Sequence, residues 1–312
     1  METIRIALDW TPNTIHAGFF LAWHKGWYRE AGLEIAFISP ETDNYQLTPA
    51  RRLSQRKVDF AIAPSESVIS YNTSRRPAAI TAVASILQRD TSAIVCLSNS
   101  GITRPAMLDG KTYASYNARY EDEIVRAMIL NDGGTGAFNP VAISRLGIWD
   151  MLKKGEADAT WVFMPWEGVE AQHNGIALNA FRMEDFGIPY GYTPLLLAHL
   201  SAIPLREAAY RSFLRITARA YTEAAAAPEE TAAFLSERVG HPDFARKDFI
   251  RDSMRELAPA ILNEQGRWGE MQPKVWGRFI DWLVERKLAV PRQPIESWHL
   301  FTNKLLGEHS GN

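Results

Sequence analysis

Residues 3–20 read TIRIALDWTPNTIHAGFF. Residues 3–8 alternate apolar and polar types and are rich in β-formers, which predicts a strand. Asp9-Trp10-Thr11-Pro12-Asn13 breaks it, and a helix is predicted from about 14 to 25, with Ile15, Phe19, Ala22 and Trp23 on one stripe. The alternation of strand and helix then repeats. Gly26 and Gly32 punctuate, a second strand is expected over 34–38 and a helix over 49–55. A short buried strand follows at 58–63. Pro64-Ser65-Glu66-Ser67 marks a helix start with Ser65 or Ser67 as N-cap, and 80–86 reads as another strand. This β-α-β-α-β rhythm predicts a largely parallel sheet with helices packed on it.

A second set of elements begins near Ser92. Strands are expected over 93–97, 111–116 and 157–163, and helices over 118–130, 149–154 and 165–173. Residues 194–198 read as a strand returning to the first set. Beyond them the pattern is helical, with starts at Pro204 and Pro228 and further helices over 248–257 and 273–286. At 312 residues the chain exceeds the size at which one core usually stops growing. The expected organisation is one lobe of residues 1–91 plus 195–312, interrupted by an inserted lobe of residues 92–194. The two crossings would act as a hinge and a ligand would lie in the cleft between the lobes.

Bulk properties exclude several classes. The hydrophobic fraction of 46% and charged fraction of 22% are those of a folded globular chain. A net charge of −2, with no long basic run, leaves no footprint for nucleic acid. The Arg51, Arg52, Arg56 and Lys57 cluster reads as a solvated helix face. The single cysteine, Cys96, lies in an apolar run and reads as a buried thiol. No apolar run approaches the roughly 20 residues of a membrane helix. Met1 leads straight into the first strand with no secretory signal, so either the chain is cytoplasmic or a signal has been removed.

No catalytic constellation stands out. Metal-ligand spacing is absent, and Ser65-Glu66-Ser67 lacks the glycines of a nucleophile elbow. The glycine-rich run 132–136 follows a helix instead of a strand, so it is a loop and no phosphate cradle. Glu121-Asp122-Glu123 is a helix first turn, where carboxylates suit the dipole. Polar and aromatic residues do collect after predicted strands. Asp9, Trp10, Asn13 and His16 follow the first, Ser65 and Glu66 the third, and Tyr116 and Asn117 a strand of the second set. Trp161, Trp166, Glu167 and Glu170 surround the end of another, and Tyr190 and Tyr192 flank the second crossing. Ring faces stack on a flat, nitrogen-rich ligand, and carboxylates accept from its amine. Packing alone could equally account for Trp10, Trp161 and His16, and solvation for Glu170. Trp268, Trp276 and Trp282 read as core of the C-terminal helices.

Across these motifs the chain resembles the thiamine-pyrimidine-precursor family, which holds bacterial formylaminopyrimidine-binding proteins of ABC transporters and fungal enzymes making hydroxymethylpyrimidine phosphate. The likeness starts at Ala7-Leu8-Asp9-Trp10-Thr11-Pro12-Asn13-Thr14 and His16-Ala17-Gly18. It continues collinearly through Lys25-Gly26-Trp27-Tyr28, Val58-Asp59-Phe60-Ala61-Ile62, Asp90-Thr91-Ser92, Trp166-Glu167-Gly168-Val169-Glu170, Tyr192-Thr193-Pro194, Arg267-Trp268-Gly269-Glu270 and Phe301-Thr302-Asn303.

The resemblance implies the α/β, two-lobed, type II periplasmic binding protein fold, with two mixed or parallel sheets flanked by helices. It implies a solute-binding protein that closes over a formylaminopyrimidine-like ligand and passes it to an ABC permease and ATPase, works as a monomer and sits in the periplasm. The ligand set it implies is Trp10, Asn13, Trp166, Glu167, Glu170 and Tyr192, to which the residue types add His16, Ser65, Glu66, Asn117, Trp161 and Tyr190. The alternatives are a hydroxymethylpyrimidine phosphate synthase-like enzyme, or a binding protein for another small solute such as a sulfonate or aromatic acid. The fungal enzymes carry a cysteine-rich metal run, a lysine holding pyridoxal phosphate and a catalytic histidine. Here only Cys96 exists, and the lysine and histidine positions fall on Ala63 and Ser67. No cofactor, metal or catalysis is therefore expected.

Overall fold

The computed structural model describes residues 1–142, 147–290 and 300–307. The chain divides into two compact units, Met1–Asp90 with Gly191–Ile280 and Ala289–Asn312, and Thr91–Tyr190 with Asp281–Leu288.

The first unit is built on a five-stranded mixed sheet. Its elements run β1 (Glu2–Ala7), α1 (Ala17–His24), α2 (Trp27–Glu30), β2 (Leu33–Ile38), α3 (Pro49–Ser54), β3 (Phe60–Ala63), α4 (Ser65–Thr73) and β4 (Ile80–Ser85). In β1, Ile4 and Ile6 are buried while Arg5 between them faces solvent, as the alternation requires. β3 is apolar throughout, β4 is apolar apart from Thr81 and Ser85, and both are buried throughout. β1 pairs parallel with β2 and β3.

The second unit holds β5 (Ser92–Leu97), β6 (Thr112–Ser115), α5 (Glu121–Asn131), β7 (Asn139–Ala142), α6 (Ile148–Lys154), β8 (Ala159–Phe163), α7 (Val169–His173) and β9 (Leu178–Phe181). Its sheet runs β7-β6-β8-β5-β9. β6 is parallel to β7 and β8, while β5 is antiparallel to β8 and β9. Ala93, Val95, Trp149, Leu152, Val162 and Ala171 form a core under α6 and α7. Cys96 is buried, donates to the Ile102 carbonyl at 3.2 Å, and has its thiol pKa pushed up by burial.

Gly191 returns the chain to the first unit. β10 (Leu195–His199) inserts antiparallel between β3 and β4, so the sheet order is β2-β1-β3-β10-β4 and the expected largely parallel sheet is mixed. The helices α8 (Glu207–Ala226), α9 (Pro228–Ser236), α10 (Lys247–Leu257) and α11 (Pro273–Glu285) follow. Leu300 and Thr302 then hydrogen-bond across Ala82, which covers the open edge of β4.

Three local expectations are corrected. The predicted helix from 14 to 25 begins as a single 3-10 turn, Thr14–His16, because Asn13 caps there. Trp23 leaves the apolar stripe and is 46% exposed. Neither Ser65 nor Ser67 caps α4: Pro64 occupies the N-cap, no side chain bonds to the first turn, and Ser65 is already helical and fully buried.

α8 is the spine of the first unit's helical layer. Phe213 stacks on Phe60, Tyr28 and Phe19 at centroid distances of 4.9, 5.3 and 6.1 Å, and Tyr221 stacks on Trp268 at 4.9 Å. α1 crosses α8 at Gly18, where a Cβ atom would lie 2.3 Å from the Tyr221 ring. The Tyr221 hydroxyl donates to the Ile15 carbonyl at 2.6 Å inside the core. Gly18→Ala should therefore destabilise the protein by about 1–3 kcal/mol through overpacking. Tyr221→Phe should cost about 1–3 kcal/mol by stranding a buried carbonyl. Urea unfolding would show both as a lower midpoint at unchanged slope. An unchanged midpoint for Gly18→Ala would contradict the close crossing.

Candidate functional site

In sheets of this kind, ligands are bound outside the carboxyl ends of the parallel strands. The first unit gathers a set of residues at that edge. β1 ends into Asp9–Asn13, β3 ends into Ser65 and Glu66, and antiparallel β10 begins opposite Ala63. Tyr192, just ahead of β10, accepts the Ser65 N–H at its carbonyl, 3.0 Å. The residues chosen after the first and third strands and beside the second crossing thus share one edge.

Their geometry differs from residue to residue. Trp10 is half-buried, with its ring 5.9 Å from that of Tyr45, whose hydroxyl donates to the Asp9 carbonyl. Asn13 is buried and occupied with the turn: its Oδ1 accepts from Ile15 N at 2.8 Å and its Nδ2 donates to the Thr11 carbonyl at 2.9 Å. His16 is fully buried, with Nδ1 accepting from Asn13 N at 3.3 Å and Nε2 on Asp9 Oδ1 at 2.8 Å. Both ring nitrogens are taken, so His16 has none to offer a ligand directly. Ser65 Oγ is buried and makes no hydrogen bond among the described residues. Gly191 lets it in, since a Cβ there would meet Ser65 Oγ at 2.5 Å. Glu66 is buried beside it. The Tyr192 hydroxyl accepts from Gln272 N at 2.9 Å, and burial pushes its pKa up.

The second unit has its own set at the carboxyl ends of β6 and β8. Tyr116–Ala118 follow β6 and wrap around the buried carboxylate of Glu121. That group accepts from Tyr113 Oη at 2.9 Å and from Tyr116 N and Ala118 N, each at 3.1 Å. Burial raises the Glu121 pKa, against these bonds, which lower it. Asn117 is exposed in the left-handed region, φ 55°, and is held there by Ser115 Oγ accepting its N–H. β8 runs into a π-turn, Met164–Gly168, where one continuous helix is expected; such turns recur at functional sites. Trp166 and Glu167 sit on it and are buried, and Glu167 Oε2 accepts from Phe163 N at 3.0 Å. Trp161 is buried, with Tyr190 edge-on at 5.3 Å. Glu170 stands apart on α7, 3.9 Å from Lys153 Nζ. Thr91, at the start of β5 on this same edge, has a buried hydroxyl with no partner among the described residues.

Sequence reasoning passed over two of these, Glu121 and Thr91, and left Asp9 unpaired. Glu121 reads as a first-turn acid suited to the helix dipole, and its spacing says nothing of Tyr113 reaching it. Thr91 enters only as part of a motif, and Asp9 is named without its partner His16. The pairing of Asp9 with a histidine seven residues on, across a strand-to-helix turn, was the available signal.

Ala63 closes β3 with a methyl and Ser67 carries a hydroxyl, so the positions matching the fungal lysine and histidine supply neither an amine for a Schiff base nor an imidazole. The chain's residues do not fit pyridoxal phosphate chemistry. Among the described residues no group of three His, Cys, Asp or Glu side chains is placed to hold a metal ion, and no helix is long and apolar enough to cross a membrane.

The chain is similar to several known proteins. The formylaminopyrimidine-binding protein of Halalkalibacterium halodurans is 23% identical over 289 residues, covering 91% of this chain and 85% of that protein. A 4-amino-5-hydroxymethyl-2-methylpyrimidine phosphate synthase of Saccharomyces cerevisiae is 31% identical over 102 residues, only 33% of this chain and 28% of the enzyme. The alkanesulfonate-binding protein SsuA from Xanthomonas axonopodis pv. citri superimposes with a TM-score of 0.72 at 13% identity, over 97% of this chain and 99% of that one. The fold is thus the type II periplasmic binding protein fold. Residues 13–231 match the family described as NMT1/THI5 like, and the chain belongs to the NMT1/THI5-like family.

Proposed function

We propose that this protein is the solute-binding component of an ABC importer in the periplasm. Its ligand would be a thiamine-related aminopyrimidine of the formylaminopyrimidine kind, gripped by closure of its two units. The observation that carries this reading is that aromatic residues and carboxylates both fall at the carboxyl edge of each sheet: Trp10, Asp9 and Glu66 in one, and Trp161, Trp166 and Glu167 in the other. The relative that matches over 91% of the chain is named for binding formylaminopyrimidine. Indole faces stack on a pyrimidine, and carboxylates accept hydrogen bonds from its amine and polarise toward ring donors.

The same acids argue against a sulfonate. Asp9, Glu66 and Glu167 would place negative charge beside an anion, a repulsion that low-dielectric surroundings make larger. Ser65 and Thr91 add buried hydroxyls that can donate to a ring nitrogen or formyl oxygen. A synthase reading draws on a match confined to 33% of the chain and lacks the amine and imidazole that chemistry needs.

Two measurements test this. In a thermal-shift and calorimetry panel, formylaminopyrimidine is expected to raise the melting temperature, corresponding to about 2.7 kcal/mol at a ligand concentration of 100 Kd. Alkanesulfonates and aromatic acids should give no shift. A shift with a sulfonate and none with any aminopyrimidine would sink the ligand assignment. Trp166→Ala should weaken binding by about 1–3 kcal/mol through lost stacking and burial. Lower thermal stability with affinity unchanged would make Trp166 core and misplace the site.

A further inference from the structure

Asp9 and His16 form a pair whose geometry says more than that a histidine is buried. Asn13 N–H donates to His16 Nδ1 at 3.3 Å, so that nitrogen is an acceptor and the hydrogen-bond network puts the ring proton on Nε2. Nε2–H then donates to Asp9 Oδ1 at 2.8 Å. His16 is fully buried and its ring is held edge-on by Phe20 at 5.8 Å, so it cannot turn over to exchange the two nitrogens. The Asp9 backbone is held as well, because the Tyr45 hydroxyl bonds its carbonyl. The carboxylate is therefore oriented, with Oδ1 committed to His16. Its side chain is 16% exposed, and Oδ2 accepts no hydrogen bond from any described residue. An oriented carboxylate with one oxygen left over accepts and cannot donate, so what it recognises must carry N–H or O–H.

We infer that Asp9 is a specificity-determining residue whose Oδ2 accepts from the ligand's ring amine, and that His16 is the positioning residue that fixes this polarity. The inference rests on the aminopyrimidine reading above and adds to it a single atom and a direction. It gives His16 a job that needs no contact with the ligand. It also predicts how the site fails. In Asp9→Asn the fixed Nε2–H donor must be met by the amide oxygen, which turns the amide NH2 toward the ligand. The site then presents a donor where it had an acceptor. A 4-amino ligand is opposed by it, and the counterpart with oxygen in place of that amine is accommodated.

The experiment is calorimetric titration of the purified full chain and three variants with formylaminopyrimidine and its 4-oxo counterpart. The unaltered protein should prefer the amine. Asp9→Asn should lose about tenfold or more for the amine and reverse the preference. His16→Gln keeps an acceptor for Asn13 N–H, since glutamine is a usual partner in such a capping box, so the turn should fold. In Asp9→Asn with His16→Gln the amide is released from its fixed donor, and the reversal should shrink or vanish. Long-range 15N–1H correlation on the ligand-free protein should place the His16 proton on Nε2. The assignment is overturned if Asp9→Asn weakens both ligands alike, as a merely structural pair would, if it keeps the amine preference, or if the proton resides on Nδ1. Should the unaltered protein bind neither pyrimidine, the aminopyrimidine reading falls and takes this inference with it; binding with unchanged preference in Asp9→Asn overturns the inference alone.

Discussion

The turn between β1 and α1 has to begin a helix inside the protein, and the rest of the first unit is arranged around that constraint. The first N–H groups of a helix have no intrahelical acceptor, and here water is not available to supply one. Asn13 Oδ1 takes the Ile15 N–H, and His16 Nδ1 takes the Asn13 N–H, in the reciprocal pattern of a capping box. The Ile15 carbonyl is met by the Tyr221 hydroxyl from α8. That bond fixes how deeply α8 sits, and depth in turn demands a glycine at position 18. The same cap turns the other edge of the His16 ring toward Asp9. One solution to a backbone accounting problem thus sets the docking of a long helix and the orientation of a carboxylate at the strand end.

Much of this architecture can be read in the sequence because it is local. Strands such as β1 announce themselves by alternation, and helix starts at Pro228 and Pro273 by the residue that tolerates a missing N–H. What could not be read is non-local. Leu195–His199 is apolar on both faces, so nothing in it reveals that it enters between β3 and β4 and runs against them. Asn139–Ala142 is exposed along its length and contains Pro140; it exists as a strand because β6 offers an edge, and no pattern of its own predicts it. The π-turn at Met164–Gly168 differs from an ordinary first turn by one residue of register, which a leading proline does not encode.

The candidate site divides along the same line. Residue types at strand ends were legible, because a tryptophan or glutamate directly after a strand sits at the sheet's edge whatever the fold does later. Roles were not. Asn13 and His16 look like ligand groups by type, yet their polar atoms close the turn; Asp9 carries the unused oxygen. Glu121 looks like a dipole-facing first-turn acid by spacing, yet it is buried and takes a hydrogen bond from Tyr113 on the strand before. Whether a polar atom is available to a ligand depends on which bonds the chain has already made, and that accounting needs three dimensions.

The proposed recognition and the fungal kind of chemistry would draw on neighbouring positions of this chain. The groups proposed to hold a flat amine-bearing ring lie on the turn after β1, at the start of α4 in Ser65 and Glu66, and on the π-turn after β8. The positions that would supply an amine and an imidazole lie at the junction of β3 and α4, where this chain has Ala63 and Ser67. A lysine at the end of β3 would bring an ammonium near the buried Glu66, which would pair with it and take that carboxylate away from a ligand's amine. With a methyl there, β3 packs as an uninterrupted apolar strand and the edge keeps its carboxylates for accepting. With no amine at the β3 junction, the polarity of the proposed site is left to its carboxylates, with Asp9 and its histidine among them.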